Sequence, residues 1–327
     1  MVLVTGASGL VGSFIARALV NNGFSVKALR RETSDISALD DLQDKIQWIS
    51  SDILDVITLK EIVSSVDYVI HSAGMVSYHQ EDKELLYQIN VEGTRNLINA
   101  CLDGKVKKFI LISSIATFAN HNLNGKPKQV NEDSPQKLDN LKTNYAKAKF
   151  FAEMEAWRGK TEGLFTMVVN PSVVLGPGNW HESSTRLFRY VYDENKFFID
   201  TKVNYIDVRD LAYIVVNLLQ RGNNGDQYIA SAGSISYKEL FEKMASCFDK
   251  KPPSIKTGNF MLRLGYWLSQ LKSLITFRRA SITKEIISSG NSRVFYSNDK
   301  IKQDLLLEFR SIDDTINWSC EQLKAKV

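Results

Sequence analysis

Thr5-Gly6-Ala7-Ser8-Gly9-Leu10-Val11-Gly12 follows the apolar run Met1-Val2-Leu3-Val4 and opens a helix. A strand that passes through three spaced glycines into a helix has a physical use. Gly6 permits the tight turn, Gly9 lets the backbone approach a pyrophosphate, and Gly12 lets helix and strand pack closely. The helix N-terminus adds unpaired N–H groups and a favourable dipole for phosphate. Thr5, Gly6, Ser8, Gly9, Leu10, Val11 and Gly12 are therefore the expected cradle of a dinucleotide.

Outward from this loop, apolar runs at 25–29, 46–50, 67–71 and 108–113 alternate with helical patterns such as 85–102 and 143–157. This rhythm predicts an α/β fold, a doubly wound Rossmann sheet of parallel strands with helices on both faces. Buried parallel strands read as continuous apolar runs, as Lys108-Phe109-Ile110-Leu111-Ile112 does. A further strand over 164–170 is stopped by Pro171, and residues 204–219 read as a return to the sheet followed by a helix. The expected division is 1–171 plus 204–230 for the dinucleotide-binding domain, and 172–203 plus 231–327 for a smaller, discontinuous substrate lobe.

The 327 residues are 44% apolar and 24% charged, enough for a substantial core. A net charge of +4 is too small and dispersed to indicate nucleic acid, but it suits an anionic cofactor. Cys101, Cys247 and Cys320 have neither metal-ligand spacing nor an even count, so no metal site is expected and the thiols point to a reducing, cytoplasmic setting. No cleavable leader is expected ahead of the first strand. The apolar stretch 260–277 is interrupted by Arg263 and Lys272, which suits an amphipathic helix better than a membrane span. A lid over the substrate is its favoured role, and membrane-surface contact aided by Arg278 and Arg279 is the alternative.

The second strand ends in Arg30-Arg31, where an NAD-selective fold carries a carboxylate for the ribose hydroxyl. Two guanidiniums suit a 2′-phosphate, so NADP(H) is favoured, with NAD(H) kept open by Glu32. Past the fifth strand, Tyr145 and Lys149 lie one helical turn apart and share a face. A nearby ammonium is expected to lower the phenol toward working pH, and the lysine can also reach the nicotinamide ribose.

The spacing TGxxGxxG of Thr5 to Gly12 resembles the short-chain dehydrogenases/reductases, and further segments resemble their extended branch, the epimerase/dehydratase superfamily. That resemblance implies adenine contact at Asp52-Ile53 and a small-residue cofactor turn at Ala73-Gly74, within His71-Ser72-Ala73-Gly74. Asn90-Val91-Glu92-Gly93-Thr94 matches the branch's NVxGT segment, where Asn90 is structural. Ser113-Ser114 aligns with SSxxxYG, which makes Ser114 the catalytic hydroxyl beside Tyr145 and Lys149, places Ser113 at the strand end by the cofactor, and offers Thr117 as a substrate contact. Asn170 is followed by Pro171, Ser172 and Val173, whose backbone is implied to meet the nicotinamide carboxamide. Residues 205–212 match the branch's YIxVxDLA signature.

Within that branch the chain is closest in type to dihydroflavonol reductase-like and hydroxysteroid dehydrogenase-like reductases. Dehydratases place Asp-Glu after the catalytic hydroxyl, where this chain has Ile115-Ala116. Epimerases hold a diphosphate with an arginine where this chain has Val203-Asn204, unless Lys202 or Arg209 substitutes. Trp180, Phe188, Phe197, Phe198, Met261, Tyr266 and Trp267 could line an apolar pocket. The expected function is NADPH-dependent reduction of an aldehyde or ketone of a small, partly apolar molecule. The alternatives are a nucleotide-sugar epimerase with bound NAD and a non-catalytic NADP-sensing protein. A homodimer through 85–102 and 143–157 is the expected assembly.

Overall fold

In the computed structural model, which describes residues 1–118, 128–257 and 294–325, the glycine loop joins β1 (Val2–Thr5) to α1 (Leu10–Asn21). Next come β2 (Val26–Arg30), β3 (Ile46–Ser50), α2 (Val56–Val63), β4 (Tyr68–His71) and α3 (Lys83–Tyr87). A π-helical turn, Gln88–Glu92, leads into α4 (Gly93–Asp103), followed by β5 (Lys108–Ile112), β6 (Lys128–Val130) and α5 (Asn144–Thr161). The second half contains β7 (Thr166–Pro171), β8 (Val173–Leu175), α6 (Thr185–Tyr192), β9 (Phe197–Ile199), β10 (Lys202–Asp207) and α7 (Val208–Arg221). It ends with β11 (Gln227–Ala230), β12 (Gly233–Ser236), α8 (Tyr237–Phe248), β13 (Ile255–Thr257), β14 (Val294–Tyr296), α9 (Asp299–Leu305) and α10 (Ile312–Lys324).

Seven strands form one parallel sheet in the order β11-β7-β5-β4-β1-β2-β3. The apolar runs make these strands because both faces are covered. Val4, Ile70, Ile110 and Val169 pack on the side of α1 and α7. Leu3, Val69, Phe109 and Val168 pack on the side of α2, α4 and α5. Strand order reverses between β1 and β4, and in such sheets ligands bind at the carboxyl ends of the strands at that point.

Residues 204–207 do not return to this sheet. They belong to β10, which pairs with β8 and β12, and β11 is the strand that returns, beside β7. The reason is packing: Val203 and Tyr205 bury in a separate lobe core with Phe188, Leu240, Phe241 and Ile316. Phe188 and Phe198 are core residues there, Trp180 packs at its margin against Tyr192 and Phe248, and Phe197 is exposed. Met261, Tyr266, Trp267 and the 260–277 stretch with Arg278 and Arg279 lie outside the described residues. Among the described residues no helix is long and apolar enough to cross a membrane. The three cysteines are free, with Cys101 and Cys320 buried.

Candidate active site

The loop after β1 is built around backbone proximity. Gly6 has φ +70°, and a Cβ there would meet the Ala73 nitrogen at 2.6 Å. A Cβ on Gly12 would fall 2.1 Å from the Gly6 carbonyl oxygen, whereas one on Gly9 would meet nothing nearer than 3.5 Å. The first two glycines named close the turn, and Gly9 leaves room above it. Thr143, Asp207, Ser236 and Ser311 cap α5, α7, α8 and α10 with side-chain oxygens. Like α3, α6 and α9, α1 has no side-chain cap, and its cap residue is Gly9. Its first N–H groups are thus left for a ligand, which fits the pyrophosphate of a dinucleotide. Ser8, Leu10 and Val11 lie half-buried at that helix start.

Across the strand-order reversal, the Thr5 hydroxyl accepts from the Ala73 N–H at 3.2 Å and lies 2.7 Å from His71 Nδ1. His71 Nε2 carries the proton and donates to Thr94 Oγ1 at 3.0 Å, while Thr94 donates to the Asn90 carbonyl at 2.6 Å. Because Thr94 gives its proton to Asn90, its oxygen accepts from Nε2–H, and in the neutral ring Nδ1 accepts from Thr5. Burial, with the Lys149 ammonium adding repulsion, depresses His71 from 6.5 to about 3. Asn90 holds both the N–H and the carbonyl of Met75, each at 3.0 Å, in keeping with a structural role. Gly74 is tight as well, since a Cβ there would lie 2.7 Å from Asn90 Oδ1 and 3.3 Å from Lys149 Nζ.

At the adenosine end, Arg30 closes β2 with its Nε buried and without a hydrogen-bond partner. Such an orphaned donor is costly and fits a bound phosphate or base. Arg31 is exposed beside it. Asp52 is exposed and accepts from the Leu54 N–H at 2.9 Å. Ile53 is buried against Gly93, where a Cβ would approach to 2.8 Å.

Ser114, Tyr145 and Lys149 converge at the carboxyl end of β5. Ser114 is extended, accepts from the Ala116 N–H at 3.1 Å, and is close enough to the Tyr145 phenol to act on its titration. Lys149 Nζ donates to the Ile112 carbonyl at 2.9 Å. Both Tyr145 and Lys149 are buried. Burial lowers Lys149 to about 8, against the opposing pull of Glu153. The expected lowering of Tyr145 does not occur: burial dominates and pushes the phenol up, Tyr78 adds to the rise, and Ser114 opposes it. A phenol in this state keeps its proton near neutrality.

Ser113 turns inward, its hydroxyl bonded to the Glu153 carboxylate, and Thr117 donates to the Ser114 carbonyl at 3.0 Å. Their side chains serve the interior. Pro171 pairs with Ala230 at the end of β7, Ser172 is buried, and Val173 begins β8. Glu153, Gln136 and Gln227 escaped the motif reading, and His71 stands in its quoted segment without a role. The one signal for Glu153 is its spacing, four residues beyond Lys149, on the stripe that carries Tyr145.

A family model described as NAD dependent epimerase/dehydratase family matches residues 2–231. A Synechocystis protein provisionally named dihydroflavonol 4-reductase is 26% identical over 325 residues, covering 96% of this chain and 93% of that protein. Cinnamoyl-CoA reductase 1 of Petunia hybrida is 25% identical over 340 residues, covering 100% of this chain and 92% of its own length. The solved structure of gox2253 superposes with a TM-score of 0.85 at 28% identity, covering 100% of this chain and 98% of its own. With the glycine loop at the strand-order reversal and a match over more than half its length, the chain belongs to the NAD dependent epimerase/dehydratase family and is an NAD(P)-dependent oxidoreductase of the extended short-chain dehydrogenase/reductase type.

Proposed function

We propose that the protein uses NADPH to reduce an aldehyde or ketone of a small, partly apolar molecule. One observation carries the reading: Ser114 at the end of β5 acts on the Tyr145 phenol, opposing the rise of its pKa, with the Lys149 ammonium one turn along the same helix as Tyr145. In this scheme Thr5, Gly6, Ser8, Gly9, Leu10, Val11 and Gly12 hold the pyrophosphate, while Asp52, Ile53, Ala73, Gly74 and Ser113 flank the dinucleotide. Pro171, Ser172 and Val173 border its nicotinamide, which when bound supplies a hydride to the carbonyl carbon. Ser114 donates a hydrogen bond to the carbonyl oxygen. Tyr145 gives that oxygen its proton, and the Lys149 charge stabilises the phenolate left behind. Arg30 and Arg31 take the 2′-phosphate, a role supported by the unpartnered Arg30 Nε. The substrate is bordered by the lobe that contains β8, β10, β12 and α8. Homodimerisation through α3, α4 and α5 belongs to the same reading, supported by exposed Leu85, Tyr87 and Met154.

The epimerase reading is weakened by the state of Arg209. Its guanidinium lies 3.8 Å from the Trp318 ring centroid and bridges Asp207 at 2.7 Å and Asp314 at 2.8 Å. An arginine so engaged is a poor substitute for a diphosphate-binding one. Fluorescence titration of cofactor-free protein with NADPH and NADH, followed by a carbonyl panel, tests the proposal. Selective, exchangeable NADPH binding with turnover supports it. Tight NAD(H) that copurifies, with stabilisation by a nucleotide sugar, would transfer the assignment to an epimerase. NADPH binding with no turnover on any carbonyl would leave the sensing role.

A further inference from the structure

We propose that Glu153 is a positioning residue of this site: its buried carboxylate ties the ends of β5 and β7 to the start of β11 behind Ser114 and is the counter-charge of Lys149. The inference rests on the role given to Lys149 above.

Glu153 is 0% exposed, and a carboxyl is seldom buried completely without paired groups. Its Oε1 accepts from the Ser113 hydroxyl and from Asn170 Nδ2 at 2.6 Å. Its Oε2 accepts from Gln136 Nε2 at 3.0 Å and lies 3.4 Å from Gln227 Nε2. The second links reach the catalytic strand end. Asn170 Nδ2 is also 3.0 Å from the Ser114 carbonyl oxygen, and the Asn170 oxygen accepts from Gln227 at 2.9 Å. Gln136 donates to Thr117 at 2.9 Å, and Thr117 in turn donates to the Ser114 carbonyl. The Ser114 backbone is thus held from two sides by groups that converge on one carboxyl. Asn170 immediately precedes Pro171 and Ser172, so the same hub fixes the end of β7.

The partners named are donors, and a carboxylate is the form that accepts from all of them. An ionised carboxylate in the interior needs a cation. Lys149, buried one turn back on the same helix face, supplies that charge at a distance: its ammonium bonds the Ile112 carbonyl oxygen and makes no direct ion pair with Glu153. Around the pair, α5 contributes Tyr145, which keeps its proton, and β4 contributes His71, which is neutral. The groups from β5, β7, β11, Thr117 and Gln136 carry no charge. Burial acts against both partners, pulling Glu153 up and Lys149 down, and the Glu153 charge restrains the fall of Lys149. Without it the ammonium behind Tyr145 would lose its proton at lower pH.

The test is the titration of Lys149, followed by NMR on labelled full-length protein, which needs no substrate. In Glu153→Gln, which keeps shape and removes charge, the Lys149 midpoint falls by about one pH unit, a tenfold change in proton affinity. Glu153→Asp, which keeps the charge, restores at least half of that fall. An unchanged midpoint in folded Glu153→Gln overturns the proposal. If Glu153→Gln does not fold, the reciprocal measurement reads the same coupling. The Glu153 midpoint in Lys149→Met then rises by about one pH unit, and equal midpoints overturn the proposal. Turnover is scored separately: in Glu153→Gln the basic limb of the rate profile moves to lower pH with that of Lys149. If the unmodified protein reduces no carbonyl while the Lys149 midpoint shifts, the reductase reading fails and the positioning role stands.

Discussion

The Lys149 ammonium donates to the Ile112 carbonyl oxygen at 2.9 Å, so the helix that carries Tyr145 is tied to the end of β5, two residues before Ser114. The tie lies behind the phenol, which leaves the Tyr145 oxygen to Ser114 and to a substrate. Tyr145→Phe removes only that oxygen and keeps the buried ring. Cofactor affinity and melting temperature stay near those of the parent, and turnover drops about 10²–10⁴-fold. Steady-state rates beside a binding titration check this. Turnover equal to the parent would remove Tyr145 from the chemistry.

Arg30 carries the cofactor prediction. A buried Nε with no partner is held at the tip of β2 at a cost that a bound phosphate would offset. Replacing Arg30 and Arg31 together by Gln weakens NADPH by about tenfold to hundredfold, from the loss of charge-assisted hydrogen bonds, and leaves NADH within about twofold. Parallel titrations of the two dinucleotides decide it. An equal loss for both would assign the arginines to the adenosine or to the fold, and not to the 2′-phosphate.

Gly12 is tested by one methyl group. The added Cβ in Gly12→Ala would stand 2.1 Å from the Gly6 carbonyl oxygen, a backbone atom that cannot rotate away. Either α1 shifts off β1 or the loop opens, and such overpacking costs about 1–3 kcal/mol. Chemical denaturation should register that loss, and NADPH affinity should fall with it. Gly9→Ala, with its nearest contact at 3.5 Å, is the control: stability close to the parent, with cofactor binding reduced.

The parallel sheet was legible because strands covered on both faces read as near-continuous apolar runs, as residues 109–112 of β5 and 167–169 of β7 do. Tyr145 and Lys149 were legible for a similar local reason: four residues on a helix make one face. Glu153 shares their stripe, but its meaning depends on Ser113, Gln136, Asn170 and Gln227, which only the folded sheet assembles. Strand β10 joins the smaller sheet because Val203 and Tyr205 find the lobe core, a choice between two apolar destinations that periodicity does not rank. The direction of the Tyr145 shift depends on how much water is excluded, which spacing does not encode.

His71 makes acid stability a readout of the site. Its folded value is depressed from 6.5 to about 3, first by burial and then by Lys149. Between those values the unfolded chain binds a proton at this position that the folded chain does not, so stability falls as pH falls. The contribution is whole above 6.5 and is lost progressively down to about 3. Protonation would also put a donor on Nδ1 facing the Thr5 hydroxyl, whose own proton is now directed at that nitrogen. His71→Gln, which cannot titrate, should therefore lower the slope of unfolding free energy against pH by about 1.4 kcal/mol per pH unit near pH ~5, one proton's worth. Urea denaturation of both proteins at several pH values across that window measures the slopes. Parallel slopes would mean that His71 takes up its proton in the folded state, and that the chain from Thr5 through His71 and Thr94 to Asn90 runs in the opposite sense or is open to water.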